Sequence, residues 1–249
     1  MKIIVNADDF GHSKGVNLGI IESYRNGVVR STTMMAGMPG FGHAARVSRR
    51  NPGLGVGVHL TLTAGKAVGG AYRTLTDADG NFLKLTETER RARAGELDLA
   101  EVESEYEAQI RKVYKADIIP DHFDSHHHTH KLPGVSGVFL KLAKKYGVKV
   151  RMYDRSLLTG EYAGIVTTDA FDDTFYGGGA TAERLREIIS PRRGASLEIM
   201  CHPAYCDLFL FKNSSYNTRR FFEMDVLTGK EIKDFIKANG HELCSFAEL

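Results

Sequence analysis

The sequence predicts an α/β fold in which a parallel sheet, covered by helices, curls into an incomplete barrel. Short apolar, β-branched segments alternate with helical segments along all 249 residues, which is the order of repeated βα units. The length is one at which α/β barrels form a single domain, here residues 1–249. A doubly wound open sheet shows the same alternation and is the alternative.

The first half of the chain contains clear signals for strands and for helix ends. Ser13 can cap the first helix and Gly27 can end it, while Asn51-Pro52-Gly53 breaks the second. The segment that follows the third strand contains Gly69-Gly70 and reads as a surface loop or a short hairpin. We therefore expect strands at 3–6, 28–35 and 54–62, helices at 13–25 and 41–50, and a loop at 65–85.

The second half continues the alternation. Leu99, Val102, Tyr106 and Ile110 have the spacing of one apolar helix face, and Thr181 can cap a later helix. We expect helices at 98–115, 134–146, 181–189 and 229–238, and strands at 121–125, 148–152, 165–168, 197–201 and 241–245.

The composition excludes several classes of protein. The 42% hydrophobic and 26% charged content is typical of a globular domain, and a net charge of +2 without a basic run does not indicate nucleic-acid binding. The three cysteines do not form a disulfide framework, no apolar segment approaches the roughly 20 residues of a membrane span, and no leader is evident. We expect a cytoplasmic protein that does not bind a membrane. A homodimer is expected only from the general frequency of dimers.

Two adjacent carboxylates, Asp8 and Asp9, follow the first predicted strand in the segment NADDFG. Such groups repel each other and lose hydration near a strand end, so a cation or a shared proton usually accompanies them. The pair taken alone is more often a solvated turn or a helix cap. Its meaning depends on what lies nearby in the fold.

Other polar side chains come at the ends of later predicted strands. His59 lies in GVHLTLT, His126 begins the cluster HHHTH, Arg151 follows VKV, and His202 lies in MCHP. In a barrel, the carboxyl ends of the strands meet at one mouth. We therefore expect these four residues to lie near the two aspartates. His12 and His43 are interpreted as loop or helix-surface residues.

An aspartate and two imidazoles suit a divalent metal ion and leave positions for water and substrate, as in a catalytic site. A bound metal can lower the pKa of water towards about 7. The second carboxylate can then accept a proton from the water, and a histidine can protonate the leaving group. These residue types together predict a metal-dependent hydrolase.

At these residues the sequence resembles the YdjC-like carbohydrate deacetylase family, which includes chito-oligosaccharide deacetylases. The matching segments occur in order from one end of the chain to the other: NADDFG, GVNLGIIES, GVVRSTTMM, NPGLGVGVHLTLTAGK, HFDSHHHTH, MCHPAY, SSYNTRR and SFAEL. The resemblance implies an irregular TIM-like (β/α) barrel related to the polysaccharide deacetylases. It also implies a divalent metal, commonly described as magnesium in this family, and removal of acetyl groups from small N-acetylated amino sugars or short oligosaccharides. Two histidines and a carboxylate also accept zinc, and manganese, cobalt or nickel stay open as alternatives.

The resemblance also implies roles for individual residues. The metal ligands would be Asp9, His59 and His126. Asp8 would be the catalytic base, His202 the acid that protonates the departing amine, and Arg151 the residue that orients the base. His128 and His130 have no assigned role, although either could orient a ligand.

Three alternatives follow from the same residues. The protein could be another metal hydrolase that acts on a phosphoester or a different amide, a glycosidase that uses Asp8 and Asp9 as its carboxylate pair, or a non-catalytic metal- or sugar-binding protein. Phe10, Tyr153 and Tyr205 lie close to the motifs. They are candidates either for contacts with a sugar ring or for core packing.

Overall fold

The computed structural model describes residues 1–191 and 194–249, and a sheet of parallel strands forms its centre. Within these residues the strands are β1 Lys2–Phe10, β2 Ser31–Met34, β3 Gly55–Leu60, β4 His122–Ser125, β5 Lys149–Val150, β6 Ala170–Asp172, β7 Ser196–Cys201 and β8 Glu242–Leu243. The main path through the sheet is β5-β4-β3-β2-β1-β7-β6, and β8 pairs with the start of β1.

This strand order is that of a barrel opened on one side. The strands follow the cyclic order from β1 to β7, with the sheet open between β5 and β6. A doubly wound sheet would instead reverse its strand order at a switch point. The predicted incomplete barrel is therefore confirmed, and the doubly wound alternative is wrong.

Helices connect the strands on the outside of the sheet. Within the described residues they are α1 Lys14–Arg25, α2 Phe41–Arg49, α3 Leu85–Ala94, α4 Leu99–Tyr114, α5 Val135–Tyr146, α6 Ala182–Ile189, α7 Leu208–Asn213, α8 Arg219–Thr228 and α9 Lys230–Ala238. The expected caps form. Ser13 accepts a hydrogen bond from the Val16 backbone at the start of α1, and Thr181 accepts one from the Arg184 backbone at the start of α6. None of the helices in the described part of the chain is long and apolar enough to cross a bilayer.

Strand β1 lies at the centre of the core. All of its residues except Lys2 are buried, because β2 and β7 pair with it on either side and helices cover the sheet. Its apolar start includes Ile3, Ile4 and Val5, which are fully buried. The strand therefore carries its last residues, including both aspartates, into the protein interior.

The structure corrects several predicted elements. The strand expected at 165–168 is wrong. Asp169 accepts hydrogen bonds from the backbone of Ser196, so pairing with β7 begins only at Ala170. Most of α3 and all of α7 and α8 were not predicted. The first contains few apolar residues, and the other two follow Pro203 in a segment that was not assigned.

Candidate active site

The predicted strand-end residues meet around one large cavity of about 1220 Å³. The wall contains Asp8 and Asp9 from the end of β1, His59 from β3, His126 directly after β4, and His202 directly after β7. Arg151 directly follows β5 and is fully buried beside the cavity. All six predicted site residues therefore lie together at the carboxyl ends of the strands.

A bulge explains how both adjacent aspartates reach the site. The register between β1 and β2 shifts between Ala7 and Phe10, and Asp9 has a left-handed backbone with φ of 69°. In a regular strand, neighbouring side chains point to opposite faces. A bulge redirects a side chain at a strand end, and Asp tolerates the left-handed region better than most residues.

The side chains of Asp9, His59 and His126 form a compact donor set. Asp9 Oδ1 lies 3.4 Å from His59 Nε2 and 3.0 Å from His126 Nδ1, and one ligand atom from each residue lies within 4.8 Å of the others. This oxygen is buried, yet it accepts no hydrogen bond of good geometry from any described residue. One carboxylate oxygen and two imidazole nitrogens that converge in this way fit a divalent metal ion.

Asp124 fixes the ring of His59. His59 Nδ1 lies 2.7 Å from Asp124 Oδ1, which leaves Nε2 facing Asp9. Burial alone would lower the pKa of His59, but the Asp124 and Asp8 carboxylates raise it to about 10. The surroundings of Nε2 therefore favour positive charge, and a carboxylate behind a histidine is a common support for a metal ligand.

Arg151 holds Asp8 with two parallel hydrogen bonds. Its Nη1 and Nη2 each lie 2.7 Å from an Asp8 oxygen, and Asn6 Nδ2 donates to Oδ1 at 2.9 Å. Burial alone would raise the pKa of Asp8, but the guanidinium of Arg151 holds it well below its usual range. Asp8 is therefore ionised and fixed in orientation.

Arg151 also pairs with two further buried carboxyl groups, Asp124 and Glu198. Its Nη1 lies 2.9 Å from Asp124 Oδ2, and its Nη2 lies 2.7 Å from Glu198 Oε1. All three of these side chains are completely buried. Burial raises the pKa of Glu198 to about 7, although Arg151 opposes the shift. Arg151 thus links Asp124, which supports His59, to Asp8, which lines the cavity.

His202 lies against a buried carboxylate that the sequence analysis missed. Glu223 accepts hydrogen bonds from the His202 backbone N–H and the Tyr216 hydroxyl, and its Oε1 lies 3.9 Å from His202 Nδ1. Burial raises the pKa of Glu223 to about 7. Burial, with the charge of Arg220, lowers the pKa of His202 to about 4. At neutral pH His202 is therefore uncharged, and Glu223 is only partly ionised.

Arg220 is a second cation that the sequence analysis missed. Its Nη2 lies 2.6 Å from Asp9 Oδ2, and its Nε donates to the Tyr216 carbonyl at 2.7 Å. Burial alone would raise the pKa of Asp9, but Arg220 and then His126 hold it well below its usual range. Arg220 belongs to the segment SSYNTRR, which matched the family without indicating a role.

The remaining histidines take other positions. His130 lies 2.6 Å from the Ser125 hydroxyl and stacks on Phe139, while His128 lines the cavity. His12 lies in the loop between β1 and α1, which was one of its two expected positions. It is nevertheless only 5% exposed and lines the cavity, so leaving it out of the site was wrong.

Aromatic side chains line one wall of the cavity. Tyr176 is 45% exposed and stacks on Tyr216 with ring centroids 3.9 Å apart. Phe10 is instead completely buried in the core, and Tyr153 packs edge-to-face against Phe171. Tyr205 is exposed but is not among the residues that line the cavity.

The similarity to known proteins extends over nearly the whole chain. A sequence model of YdjC-like proteins matches residues 2–238. A Listeria innocua protein named carbohydrate deacetylase 1 is 42% identical, with 100% of both chains covered. A solved structure from Enterococcus faecalis, named a cellobiose-phosphate cleavage protein, is 35% identical, with a TM-score of 0.90 over 99% of this chain and 98% of that one.

A more distant structure shows the wider fold. A family 4 acetyl xylan esterase from Clostridium thermocellum, solved with a cobalt ion, is 12% identical, with a TM-score of 0.50 over 100% of this chain and 89% of that one. It supports the TIM-like barrel. The extent of the sequence matches establishes that the chain belongs to the YdjC-like family, in which the Listeria relative is named a carbohydrate deacetylase.

Proposed function

We propose that this protein is a metal-dependent carbohydrate deacetylase that hydrolyses the acetamido group of N-acetylated amino sugars or short oligosaccharides. One observation carries the proposal. The unsatisfied oxygen of Asp9 and the nitrogens of His59 and His126 converge beside the fixed carboxylate of Asp8. The names of the full-length relatives support the same activity.

In this proposal Asp9, His59 and His126 hold the divalent ion. When bound, the ion supplies Lewis acidity towards a carbonyl oxygen and an attacking water. Two imidazoles suit zinc better than magnesium, although a carboxylate accepts either. Zinc and magnesium remain the two proposed ions.

Asp8 acts as the base that removes a proton from the attacking water. Arg151 fixes both of its oxygens, so that one lone pair can point steadily into the cavity. The same guanidinium lowers the pKa of Asp8 and makes it a weak base, although burial opposes the shift. The transfer therefore requires a water that is more acidic than bulk water.

His202 delivers a proton to the departing nitrogen. Its imidazole is neutral at pH 7 because of its lowered pKa, so it needs a proton from elsewhere before it can donate one. Glu223, with Oε1 at 3.9 Å from His202 Nδ1 and a pKa raised to about 7 by burial, is the nearby source. A small approach of the two groups completes the hydrogen bond.

The cavity fits a sugar with more than one ring. Its volume of about 1220 Å³ exceeds the usual pocket for one small ligand. The exposed face of Tyr176, supported by Tyr216, offers an apolar platform close to His202. We propose that a sugar ring next to the acetylated residue packs there.

A glycosidase mechanism fits the structure less well. Both oxygens of Asp8 are held by Arg151, and Asp9 is bound to Arg220 through one oxygen and faces two histidines with the other. Neither carboxyl group is placed as a free acid against a partner nucleophile.

The test is acetate release from a panel of N-acetylated mono- and disaccharides, with and without phosphate. The protein is stripped with a chelator and reloaded with zinc, magnesium, manganese or cobalt. We expect acetate release only with metal present. Phosphate or reducing-sugar release without acetate would instead favour a phosphoesterase or a glycosidase, and metal binding without any turnover would favour a binding protein.

A further inference from the structure

Arg220 shares the carboxylate of Asp9 with the proposed metal. The guanidinium takes Oδ2 at 2.6 Å, whereas Oδ1 faces His59 and His126. Oδ2 therefore pairs with the guanidinium of Arg220, and Oδ1 is left for the proposed metal ion. The sequence predicted a metal ligand at Asp9 but gave no reason for a second positive charge beside it.

The position of Arg220 is rigid. The residue lies in the first turn of α8 and is only 3% exposed, with Nε bonded to the Tyr216 carbonyl at 2.7 Å. Its backbone carbonyl accepts a weak hydrogen bond from Ala204 N–H at 3.4 Å, two residues after His202. The guanidinium therefore cannot turn away from Asp9 without losing other contacts.

We propose that Arg220 is a positioning residue that limits Asp9 to one coordinating oxygen and weakens the hold on the ion. An occupied Oδ2 prevents two-oxygen coordination, which leaves coordination space for substrate and water. A buried guanidinium next to a ligand also repels a divalent cation, because charges interact strongly away from bulk water. This inference rests on the proposed metal centre.

The sign of the effect separates this role from ordinary structural support. Loss of a residue that merely orients a ligand typically weakens metal binding by about 10–100-fold. Removal of Arg220 should do the opposite, because Asp9 would then be a buried carboxylate with a free second oxygen and less compensating charge.

The test is zinc binding to the full chain, measured by competition with a chromophoric chelator. Arg220→Met removes the charge and the donors, and we expect about tenfold tighter binding. Arg220→Lys keeps a charge but cannot hold Asp9 and the Tyr216 carbonyl together, so we expect an intermediate gain of at least threefold. Arg219→Met, at the exposed neighbour, should bind zinc within twofold of the unmodified protein.

Weaker binding by Arg220→Met, or a change smaller than threefold, would overturn the inference. If that variant fails to fold, Arg220→Lys decides by the same threefold criterion. Cobalt absorption spectra give a second readout, because two-oxygen coordination by Asp9 should change the ligand-field bands of Arg220→Met. An unmodified protein that binds no divalent ion would contradict the proposed metal centre and this inference together. Failure in the variants alone contradicts only the inference.

Discussion

Replacement of Arg151 by methionine should strongly destabilise the protein. The guanidinium lies within 2.9 Å of carboxylate oxygens of Asp8, Asp124 and Glu198, and all four side chains are at most 2% exposed. Methionine keeps much of the length and apolar stem but leaves these carboxylates without their shared cation. Breaking a buried ion pair by removing one partner typically costs about 3–5 kcal/mol.

That range is a large part of the stability of an ordinary domain, which is about 5–15 kcal/mol. We expect the free energy of unfolding to fall by about 4 kcal/mol at pH 7. The fall should not reach the sum for three separate ion pairs, because Glu198 has a pKa raised to about 7 by burial and can become neutral by binding a proton. Arg155→Met is the matched control, since Arg155 is 55% exposed and pairs with Asp169 at the surface. Its loss should be below about 1 kcal/mol.

The loss should depend on pH. Asp8 has a folded-state pKa below its unfolded value of 3.8, so its contribution to stability is present above that pH and disappears as the pH falls. Glu198 has a raised folded-state pKa, so its contribution is present below its unfolded value of 4.5 and is lost as the pH rises through about 7. Without Arg151 both carboxylates are harder to ionise, because their positive partner is gone. The difference in the free energy of unfolding between the unmodified protein and Arg151→Met should therefore shrink towards acid pH.

Urea unfolding of the unmodified protein and both variants between pH 4 and pH 8 measures these differences. A loss below about 1.5 kcal/mol for Arg151→Met at pH 7, or a loss that grows on acidification, would contradict a stabilising role of Arg151 as the shared buried cation. The first result would mean that the buried carboxylates are neutral or otherwise compensated.

Three further predictions concern the cavity. In the unmodified protein kcat should decline above about pH 7, as Glu223 loses its proton. Glu223→Gln should lower kcat at least tenfold and abolish this decline, because the pair with His202 then has no carboxyl proton. An unchanged pH–rate profile would contradict this. Tyr176→Ala should raise KM for a disaccharide about tenfold, which is ~1.4 kcal/mol, with kcat nearly unchanged; a KM within twofold of the parent would exclude the platform. Asp9→Asn should weaken zinc binding at least a hundredfold by titration, whereas binding within threefold would remove Asp9 from the ligand set.

The sequence predicted the parts of the site that belong to strand ends. Asp8, His59 and His202 each follow or end an apolar segment, and a parallel barrel brings such positions together. The alternation of segments also predicted a parallel sheet covered by helices, but a doubly wound sheet has the same alternation, and only the cyclic strand order from β1 to β7 in the structure distinguishes the two. The order of apolar segments and polar strand ends, together with the geometry of a parallel barrel, therefore predicts which of these residues meet at the site.

The supporting charges could not be predicted in the same way. Arg220 reaches Asp9 across 211 residues of sequence and lies on α8, a helix that was itself missed. Glu198 did give a signal, since a charged residue stood within an otherwise apolar strand. A buried charge needs a partner, but the sequence did not show that the partner would be Arg151. Such pairings depend on the packing of distant elements.

In the proposed site two neighbouring aspartates have separate roles, Asp8 as base and Asp9 as metal ligand. Bound zinc and acetate release should be measured on the same preparations of the unmodified protein, Asp8→Asn and Asp9→Asn. Asp8→Asn should retain zinc but lose acetate release by about 10²–10⁴-fold, whereas Asp9→Asn should lose both. Full acetate release by Asp8→Asn would exclude Asp8 as the base, and loss of zinc from this variant alone would make Asp8 the metal ligand in place of Asp9.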